Sequence, residues 1–425
     1  MEKRYVLIAA GIAVALAGVS VGAVLLFGSP GGEPAATSTS LATTTTTAAA
    51  TTTSPTTTTT SPTTTTTTTL PGPEITLTMS GGGQLKDAAQ AFYAWLGDRE
   101  GTEPPPMADG LAAFLAEATV PADLELTGDF VTGDLADGKR VAVVTAGDDV
   151  LLAADEGDGW AIVGARLESL GLEPWYGEPV RHVLIIGTDA RPGYIERVFR
   201  ADSLHILSSN IAANAGAVVG IPRDTYVDTP YGRKDKLSSV NARADSEAVV
   251  DIVRDLSGLP VEGYIITGFQ SFRRMVDAFD GVVVDVPFAM NDPKSSAFLS
   301  AGEQVLWGQN ALAFSRNRSI QGGDFTRSFH QGLVILGALD KVLGGGLADL
   351  PGLLSLLAQY TWTDLSAGDL LTLAAGAYEI DPANVGHLVL PGTVHDISGA
   401  SVVILDDSVE ETYRDLDDGI LTPEE

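Results

Sequence analysis

Cationic, amide and carboxylate side chains are concentrated between residues 311 and 331. Arg316 and Arg318 are two positions apart, which on an extended segment would place both guanidinium groups on one face. Asp324 follows two glycines and is predicted to cap a helix on which Arg327 and Gln331, four positions apart, share a face. Guanidinium groups bind phosphate well and helix N-termini attract anions, so this stretch predicts a phosphate-binding site. The alternative is a solvated network of salt bridges.

Three loops further upstream each combine an aspartate with an arginine. They carry Asp189 with Arg191, Arg200 with Asp202, and Arg223 with Asp224. Each loop adjoins an apolar run of strand type, and open α/β sheets place ligand groups at strand ends. Asp189 and Asp202 could hold one Mg²⁺, which prefers one or two carboxylates and completes its shell with phosphate oxygens and water. A single pair of this kind is typical of a structural ion pair, but their repetition at successive strand ends favours a site.

The elements that must position these loops alternate between strands and helices. After an apolar strand at 183–186, strands are predicted at 204–207, 217–221, 264–267, 282–286, 385–390 and 401–405. Helices are predicted at 247–256, 272–279, 324–344, 350–359, 370–378 and 407–416. This alternation predicts an α/β fold with three layers, helices on both faces of one sheet. No glycine-rich loop of the P-loop type occurs, so a nucleoside triphosphate is not indicated.

A small α+β domain is predicted at residues 74–176, ahead of the larger domain at 180–418. Helical spacing at 85–96 and 111–115 precedes four runs of strand type at 124–131, 140–145, 150–154 and 160–163, separated by Asp-Gly turns. The order suggests a meander packed on two helices, similar to the cone-shaped nuclear-transport-factor-like folds. No catalytic constellation is evident here, and its carboxylates are predicted to lie in turns and face solvent.

The N-terminal 73 residues have no globular character. Residues 1–4 form a basic tail, 5–28 are long and apolar enough to span a bilayer, and the tail predicts a cytoplasmic N-terminus. A cleavable signal is the alternative, because Ala15, Leu16 and Ala17 have a small-x-small pattern, but the apolar run continues past that point. Residues 34–73 are almost all Thr, Ser, Pro and Ala, which predicts a disordered linker, open to O-glycosylation.

Charge and composition limit the classes of partner. The 425-residue chain has a formal net charge of -30, which disfavours nucleic acid and anionic membrane surfaces as general partners. Of 25 Lys and Arg residues, 16 lie between Arg181 and Arg327, so the positive charge is concentrated around the predicted site. The chain has no cysteine and only 5 scattered histidines, which excludes thiolate chemistry and disfavours a zinc site.

Eight ordered motifs give the larger domain a specific resemblance. They are GTDAR at 187–191, RADS at 200–203, IPRDT at 221–225, KDK at 234–236, VDAFDGV at 276–282, LWGQNAL at 306–312, RNR at 316–318, and GDFTR at 323–327 followed by Gln331. Over residues 180–416 the chain resembles the LytR–CpsA–Psr family. Members of that family are membrane-anchored enzymes outside the cell that transfer an anionic glycopolymer from a polyprenyl pyrophosphate carrier to peptidoglycan, forming a phosphodiester.

The resemblance implies a role for each matching residue. Asp189 and Asp202 correspond to metal-binding aspartates, with Mg²⁺ as the expected cofactor. The catalytic group would comprise Arg223, Arg316, Arg318 and Asp224, and the substrate-binding group Arg191, Arg200, Lys236, Arg327 and Gln331. Asp224 is the best available candidate for the base that takes the acceptor proton. Departures from the family pattern occur at Ala201, Ser238 and His330, and the last removes a positive charge beside Gln331.

The function implied is that of a single-pass membrane protein with an envelope-facing glycopolymer transferase domain. Its partners would be a glycopolymer linked to polyprenyl pyrophosphate, peptidoglycan, and the membrane through the N-terminal anchor, with no nucleic acid. Two alternatives stay open at this point. One is a hydrolase in which water replaces the sugar hydroxyl, and the other is a non-catalytic regulator that binds the lipid carrier.

Overall fold

The computed structural model describes residues 73–191, 194–317 and 320–422. The predicted tail at 1–4, the predicted membrane span at 5–28 and all but the last residue of the predicted linker at 34–73 lie outside these ranges, as does Arg318. Within the described ranges, no helix is both long and apolar enough to cross a membrane. The anchor and the linker therefore stay predictions.

Residues 74–176 form a five-stranded sheet with two helices. The elements are β1 (Ile75–Met79), α1 (Gln84–Gly97), α2 (Asp109–Leu115), β2 (Leu124–Asp134), β3 (Arg140–Ala146), β4 (Asp149–Asp155) and β5 (Trp160–Arg166). Strands β2 to β5 form the expected antiparallel meander, and β1 adds to its edge parallel to β2. β1 was not predicted, although Ile75, Leu77 and Met79 alternate with polar residues as in a half-buried strand.

Two carboxylates of this sheet are buried, so the prediction that its acidic groups face solvent is wrong for them. Asp149 accepts hydrogen bonds from the hydroxyl groups of Tyr93 at 3.1 Å and Ser169 at 2.8 Å. Asp155 accepts from two backbone amides of the following turn and from Arg140. The Arg140 hydrogen bond lowers the pKa of Asp155, so this carboxylate holds a turn together as an anion.

A second sheet, of six strands within the described part of the chain, forms the centre of the larger region. Its strands are β6 (Val180–Thr188), β7 (Ala201–Asn210), β8 (Ala215–Gly220), β11 (Val261–Gly268), β16 (Trp362–Thr363) and β17 (Val385–Val389). The spatial order is β16-β11-β6-β7-β8-β17. β6, β7 and β8 run antiparallel to one another, whereas β11 is parallel to β6 and β17 is parallel to β8. The sheet is therefore mixed.

Helices cover both faces of this sheet, which confirms the predicted α/β/α layering. They are α3 (Leu237–Arg243), α4 (Ser246–Ser257), α5 (Phe269–Ala278), α6 (Gly308–Arg316), α7 (Asp324–Leu343), α8 (Leu350–Ala358), α9 (Ala367–Gly376) and α10 (Val409–Asp415). Alternate residues of β6 show the division: Leu184 and Ile186 pack with α3, α4 and α10, whereas Val183 and Ile185 pack with α5 to α9. Such near-continuous apolar strands are typical of a sheet buried on both faces.

Four short antiparallel pairs complete the described fold. They are β9 (Tyr226–Asp228) with β10 (Lys234–Lys236), β12 (Val282–Val286) with β15 (Gly302–Leu306), β13 (Met290–Asp292) with β14 (Ala297–Leu299), and β18 (Gly392–Ile397) with β19 (Ala400–Leu405). Sequence patterns predicted only β12 and β19 among these strands. The β12–β15 and β13–β14 pairs lie between α5 and α6 in the chain and connect these two helices.

The five-stranded sheet and the larger region share one hydrophobic core. Val141, Val143 and Leu152 of the sheet belong to the same buried cluster as Leu353 of α8 and Leu371 of α9. Polar contacts reinforce this packing: the Ser355 hydroxyl donates to the Asp134 carbonyl at 2.8 Å, and the Ala367 amide donates to Glu156 at 2.6 Å. The region from residue 73 onward is thus one compact unit.

Candidate active site

A cavity of about 640 Å³ opens where β6 ends and β7 begins. Eight of the predicted site residues line it: Asp189, Arg191, Arg200, Asp202, Arg223, Arg316, Arg327 and Gln331. Asp224 and Lys236 are not among its lining residues, and Arg318 lies outside the described ranges. The structure therefore brings most of the predicted constellation to one place, although its members come from five separate parts of the chain.

The two aspartates meet because β6 and β7 are adjacent antiparallel strands. Asp189 follows the last residue of β6, Asp202 is the second residue of β7, and the Asp189 amide donates to the Arg200 carbonyl at 3.1 Å. One oxygen of Asp189, Oδ1, is buried and has no hydrogen-bond partner among the described residues. Burial, followed by the negative charge of Asp202, raises the pKa of Asp189. This carboxylate oxygen is therefore available to a cation.

Arg223 lies among three carboxylates. Its Nη1 donates to Asp202, and its Nε is 3.6 Å from Asp324 and 3.8 Å from Asp224. Asp224 in turn accepts a hydrogen bond from Lys236 Nζ at 3.0 Å. The Asp224 carboxylate is thus in contact with two cationic side chains and is not among the residues that line the cavity. This placement does not favour Asp224 as the base that meets a substrate hydroxyl.

Helix α7 begins at Asp324, whereas an N-cap at Asp324 would have placed the first helical residue at Phe325. Gly323, with φ of 54°, is the N-cap, and Asp324 is the first helical residue, so the prediction of an Asp324 cap is wrong. Asp324 instead pairs with Arg327 one turn later, at 2.8 Å. Arg327 and Gln331 do share a face, as predicted, and both donate to the Asp202 carbonyl, at 3.3 and 3.4 Å. Gln331 also donates to the Ser315 carbonyl, which ties α7 to α6.

Arg316 is the last residue of α6, so the prediction that it lies on an extended segment is wrong. Its guanidinium carbon is 4.5 Å from the centre of the Phe269 ring, a cation–π contact at the first residue of α5. The contact leaves the guanidinium hydrogens free to point at a ligand. The motif pattern predicted Arg316 as a site residue, and it lines the cavity, but the pattern could not show that a helix ends there.

Sequence reasoning missed the apolar half of the cavity. This part of the lining consists of Phe269, Phe272, Leu312, Val334 and Ile335. A signal was present, since Phe269 and Phe272 are three apart on α5, and Val334 and Ile335 follow Gln331 at helical spacing on α7. A second missed group, Asp292, Lys294 and Ser295, comes from the turn between β13 and β14.

The lining cations divide into two sets by their partners. Arg223 and Arg327 are held by carboxylates, as described above. Arg191, Arg200, Lys294 and Arg316 are exposed and form no salt bridge within the described part of the chain. These four positive charges are therefore available to an anion, and the apolar side chains beside them offer a second kind of surface. A ligand with a phosphate group and a long apolar chain fits both.

The family departures at His330 and Ser238 have structural explanations. His330 is fully buried against Phe314, with ring centroids 4.5 Å apart, and burial lowers its pKa to about 4. It therefore carries no charge at neutral pH and is not among the residues that line the cavity. The buried Ser238 donates its amide to the Arg223 carbonyl at 2.8 Å and so helps to fix the arginine loop.

Comparison with known proteins defines the class to which this fold and site belong. The LytR_cpsA_psr family profile matches residues 176–417, more than half of the chain, and the chain belongs to this family. The fold also resembles the crystal structure of TagV from Bacillus subtilis, with a TM-score of 0.51 and 21% sequence identity. The aligned region covers 58% of this chain and 100% of the TagV chain. That likeness concerns the fold alone.

Three curated relatives illustrate the similarity in sequence. Two are named polyisoprenyl-teichoic acid–peptidoglycan teichoic acid transferase TagU. The one from Bacillus licheniformis is 35% identical over 37% of this chain and 51% of its own length, and the one from Bacillus anthracis is 30% identical over 51% and 71%. The cell wall biosynthesis protein LcpA of Corynebacterium glutamicum is 27% identical over 53% of each chain. The matched regions thus span between 51% and 71% of these relatives.

Proposed function

We propose that this protein transfers an anionic glycopolymer from a polyprenyl pyrophosphate carrier to peptidoglycan, forming a phosphodiester. The observation that carries the proposal is the division of the cavity into a cationic part, whose Arg191, Arg200 and Arg316 form no salt bridge with other described residues, and an apolar part. Family membership and the transferase names of the TagU relatives support the same reaction. The envelope-facing location and the single-pass anchor at 5–28 are parts of this proposal.

The cavity matches the two halves of such a donor. Along α7, Arg327 and Gln331 come first and Ile335 follows eight residues after Arg327, about 12 Å further along the helix axis. A pyrophosphate bound near Arg327 would therefore direct its polyprenyl chain towards Val334 and Ile335. Bidentate guanidinium contacts and burial of the chain act together, which favours a lipid pyrophosphate over a free phosphate or a neutral lipid.

Positioning and charge neutralisation account for most of the chemistry. The acceptor hydroxyl oxygen bonds to the phosphorus that carries the polymer, and the bond from that phosphorus to the carrier phosphate breaks. Arginines at the cavity stabilise the charge on the phosphate oxygens as this bond breaks. We assign no proton transfer to Asp224, because its carboxylate is held by Lys236 and does not line the cavity.

Mg²⁺ is the proposed cofactor, and the residues present fit it in part. Asp189 offers a buried oxygen without a hydrogen-bond partner among the described residues, whereas Asp202 already pairs with Arg223. The described ranges hold no cluster of three or more acidic or histidine ligands, and Mg²⁺ usually takes one or two carboxylates. When bound at Asp189 with support from Asp202, the ion would neutralise pyrophosphate charge.

The test is reconstitution of the reaction with the full chain in detergent. A labelled glycopolymer on polyprenyl pyrophosphate is supplied with purified peptidoglycan, and label joined to peptidoglycan is measured together with released polyprenyl phosphate. Transfer yields equal amounts of both products. Release of free phosphorylated polymer without attachment would instead support the hydrolase, and tight lipid binding without either product would support the regulator.

A further inference from the structure

A second cavity, of about 340 Å³, lies beside the first and shares a wall with it. The residues that line both cavities are Arg191, Phe269, Leu312 and Arg316. The rest of the second lining consists of Ala190, Gln270, Arg273 and Gln309. The motifs at 187–191, 306–312 and 316–318 contribute five of its lining residues, but the proposed donor site gives no role to Gln270, Arg273 or Gln309.

Two helices in tight contact build the second cavity. Gln270 and Arg273 are three apart on α5 and share a face, and Gln309 is the second residue of α6. A Cβ on Gly308 would lie 2.0 Å from the Arg273 carbonyl oxygen, so the two backbones touch and only glycine fits there. Asp277 fixes the contact by accepting the Gly308 amide at 2.8 Å. The positions of Gln270 and Gln309 relative to each other are therefore set by backbone packing.

The chemistry of this cavity differs from that of the first. Its lining contains no carboxylate, and two of its side chains are carboxamides, each of which both donates and accepts hydrogen bonds. Arg273 adds donors, and its buried Nε has no hydrogen-bond partner within the described ranges. Hydroxyl and acetamido groups present the same mixture of donors and acceptors. Amino-sugar glycans carry both groups. Arg191, Arg273 and Arg316 also line this cavity and would suit an anion as well, so the two carboxamides are the feature that points to a glycan.

We propose that this second cavity binds the acceptor glycan strand, an inference that rests on the proposed transferase function. A sugar held by Gln270, Arg273 and Gln309 would present its hydroxyl across the shared wall, next to the phosphate bound at Arg191 and Arg316. The hydroxyl oxygen bonds to the phosphorus, the bond to the carrier phosphate breaks, and the hydroxyl proton ends on the departing polyprenyl phosphate. Atoms and charge balance without another reactant. In-line transfer requires the acceptor and the leaving group on opposite sides of the phosphorus, so the carrier phosphate would have to lie on the side away from the second cavity.

The test separates acceptor binding from donor binding with variants on one exposed helical turn. Gln309→Ala removes one carboxamide from the cavity, and Asn310→Ala removes the neighbouring exposed carboxamide, which is not among the lining residues. Gln309→Ala is expected to raise the KM for peptidoglycan about three- to tenfold, the factor of one neutral hydrogen bond, and Gln270→Ala to do the same. The kcat and the affinity for the lipid pyrophosphate should stay unchanged, as should all values for Asn310→Ala.

A binding measurement without donor lipid makes the outcome independent of turnover. The full chain in detergent is titrated with a tetrasaccharide of alternating N-acetylglucosamine and N-acetylmuramic acid, after thermal melting has confirmed that each variant is folded. Weaker binding to Gln309→Ala and Gln270→Ala, with Asn310→Ala like wild type, supports the acceptor cavity even if transfer is not detected. Equal binding of the tetrasaccharide by the wild type and all three variants overturns the acceptor-cavity proposal. This holds even if wild-type transfer has already established the proposed function.

Discussion

Arginine side chains at the site act in two ways, depending on the carboxylates around them. Arg223 balances the charges of Asp202, Asp224 and Asp324, so its removal would disturb the fold as well as any ligand contact. Arg316 has no carboxylate partner in the described part of the chain and stacks on Phe269. It is therefore the cleaner residue with which to test anion binding.

Arg316→Ala is expected to weaken binding of polyprenyl pyrophosphate about ten- to 100-fold with little change in thermal stability. The reason is the loss of one charge-assisted hydrogen bond, about 1.5–3 kcal/mol, from an exposed side chain. Arg316→Lys should recover part of the affinity, because it keeps the charge but loses the planar fork. Affinity measured by titration with a fluorescent lipid pyrophosphate checks this, and wild-type affinity in Arg316→Ala would exclude the residue from the anion site.

The buried oxygen of Asp189 leads to a prediction about metal. Asp189→Asn is expected to abolish the increase in lipid pyrophosphate affinity that Mg²⁺ produces in the wild type, because a neutral amide is a poor Mg²⁺ ligand. Asp224→Asn is the matched control, since that carboxylate does not line the cavity, and it should keep the Mg²⁺ response. Affinity is measured across a series of Mg²⁺ concentrations. An unaltered response in Asp189→Asn would show that Asp189 is not a ligand.

At the scale of elements, helix α7 carries both residues of the candidate site and a buried histidine, His330. One face carries Arg327 and Gln331 into the cavity, while the neighbouring face places His330 against Phe314 and Phe288. Neither ring nitrogen of His330 has a hydrogen-bond partner among the described residues. The helix that holds the substrate groups therefore depends on a histidine that must stay neutral.

This burial predicts that acid destabilises α7 packing. Burial lowers the pKa of His330 to about 4, so between pH 6.5 and 4 the unfolded chain binds a proton that the folded chain does not. Stability is therefore lost as pH falls through this window, by up to about 1.4 kcal/mol per pH unit from this residue. His205 and His387, whose pKa values burial lowers to about 3 and about 4, act in the same direction.

His330→Phe keeps the aromatic stacking and removes the titrating group. We expect it to reduce the slope of unfolding free energy against pH between 6.5 and 4, measured by urea denaturation at several pH values. Phe298→Leu, at an exposed position of β14 with no ring contact to a histidine among the described residues, should leave the slope unchanged. The hypothesis fails if wild type and His330→Phe lose stability in parallel as pH falls.

At the scale of the whole molecule, the shared core makes the five-stranded sheet a structural support for the larger region. Helix α8 lies against β2 so closely that a Cβ on Gly133 would be 2.0 Å from the Pro351 carbonyl oxygen. The predicted boundary between residues 176 and 180 stays a prediction about domain organisation. The packing across it nevertheless couples the stability of the two parts.

Gly133→Ala is expected to lower stability by about 1–3 kcal/mol, because its new methyl group forces β2 and α8 apart. Gly352→Ala, on the exposed side of α8 with no atom within 4 Å of its Cβ position, should instead stabilise the helix slightly. Both are measured by thermal unfolding. Tryptophan fluorescence from Trp95 and Trp362 should report one common transition, and a Gly133→Ala protein as stable as wild type would contradict the proposed coupling.

The residue types and their order along the chain were enough to predict the family, the α/β layering and a candidate set of site residues. The motifs from residue 187 to residue 331 identified the family and predicted the site residues, eight of which line one cavity, since residue types at fixed spacing are properties of the sequence itself. Runs of apolar residues likewise predicted the α/β layering, with boundaries within a few residues for β6 and α8. Strand β1 and most strands of the short pairs were missed because segments of three to six residues carry little periodic signal.

Only the tertiary structure decided how distant groups combine. The hydrogen bond from Arg223 to Asp202, 21 residues earlier in the chain, follows from the antiparallel pairing of β7 with β8, which no local pattern reveals. Helical spacing marked Phe269, Val334 and Ile335 as apolar, but whether such residues fill a core or line a cavity depends on the helices that meet them. The second cavity lies where α5 and α6 touch at Gly308, and this contact between two helices could not be predicted from the sequence alone.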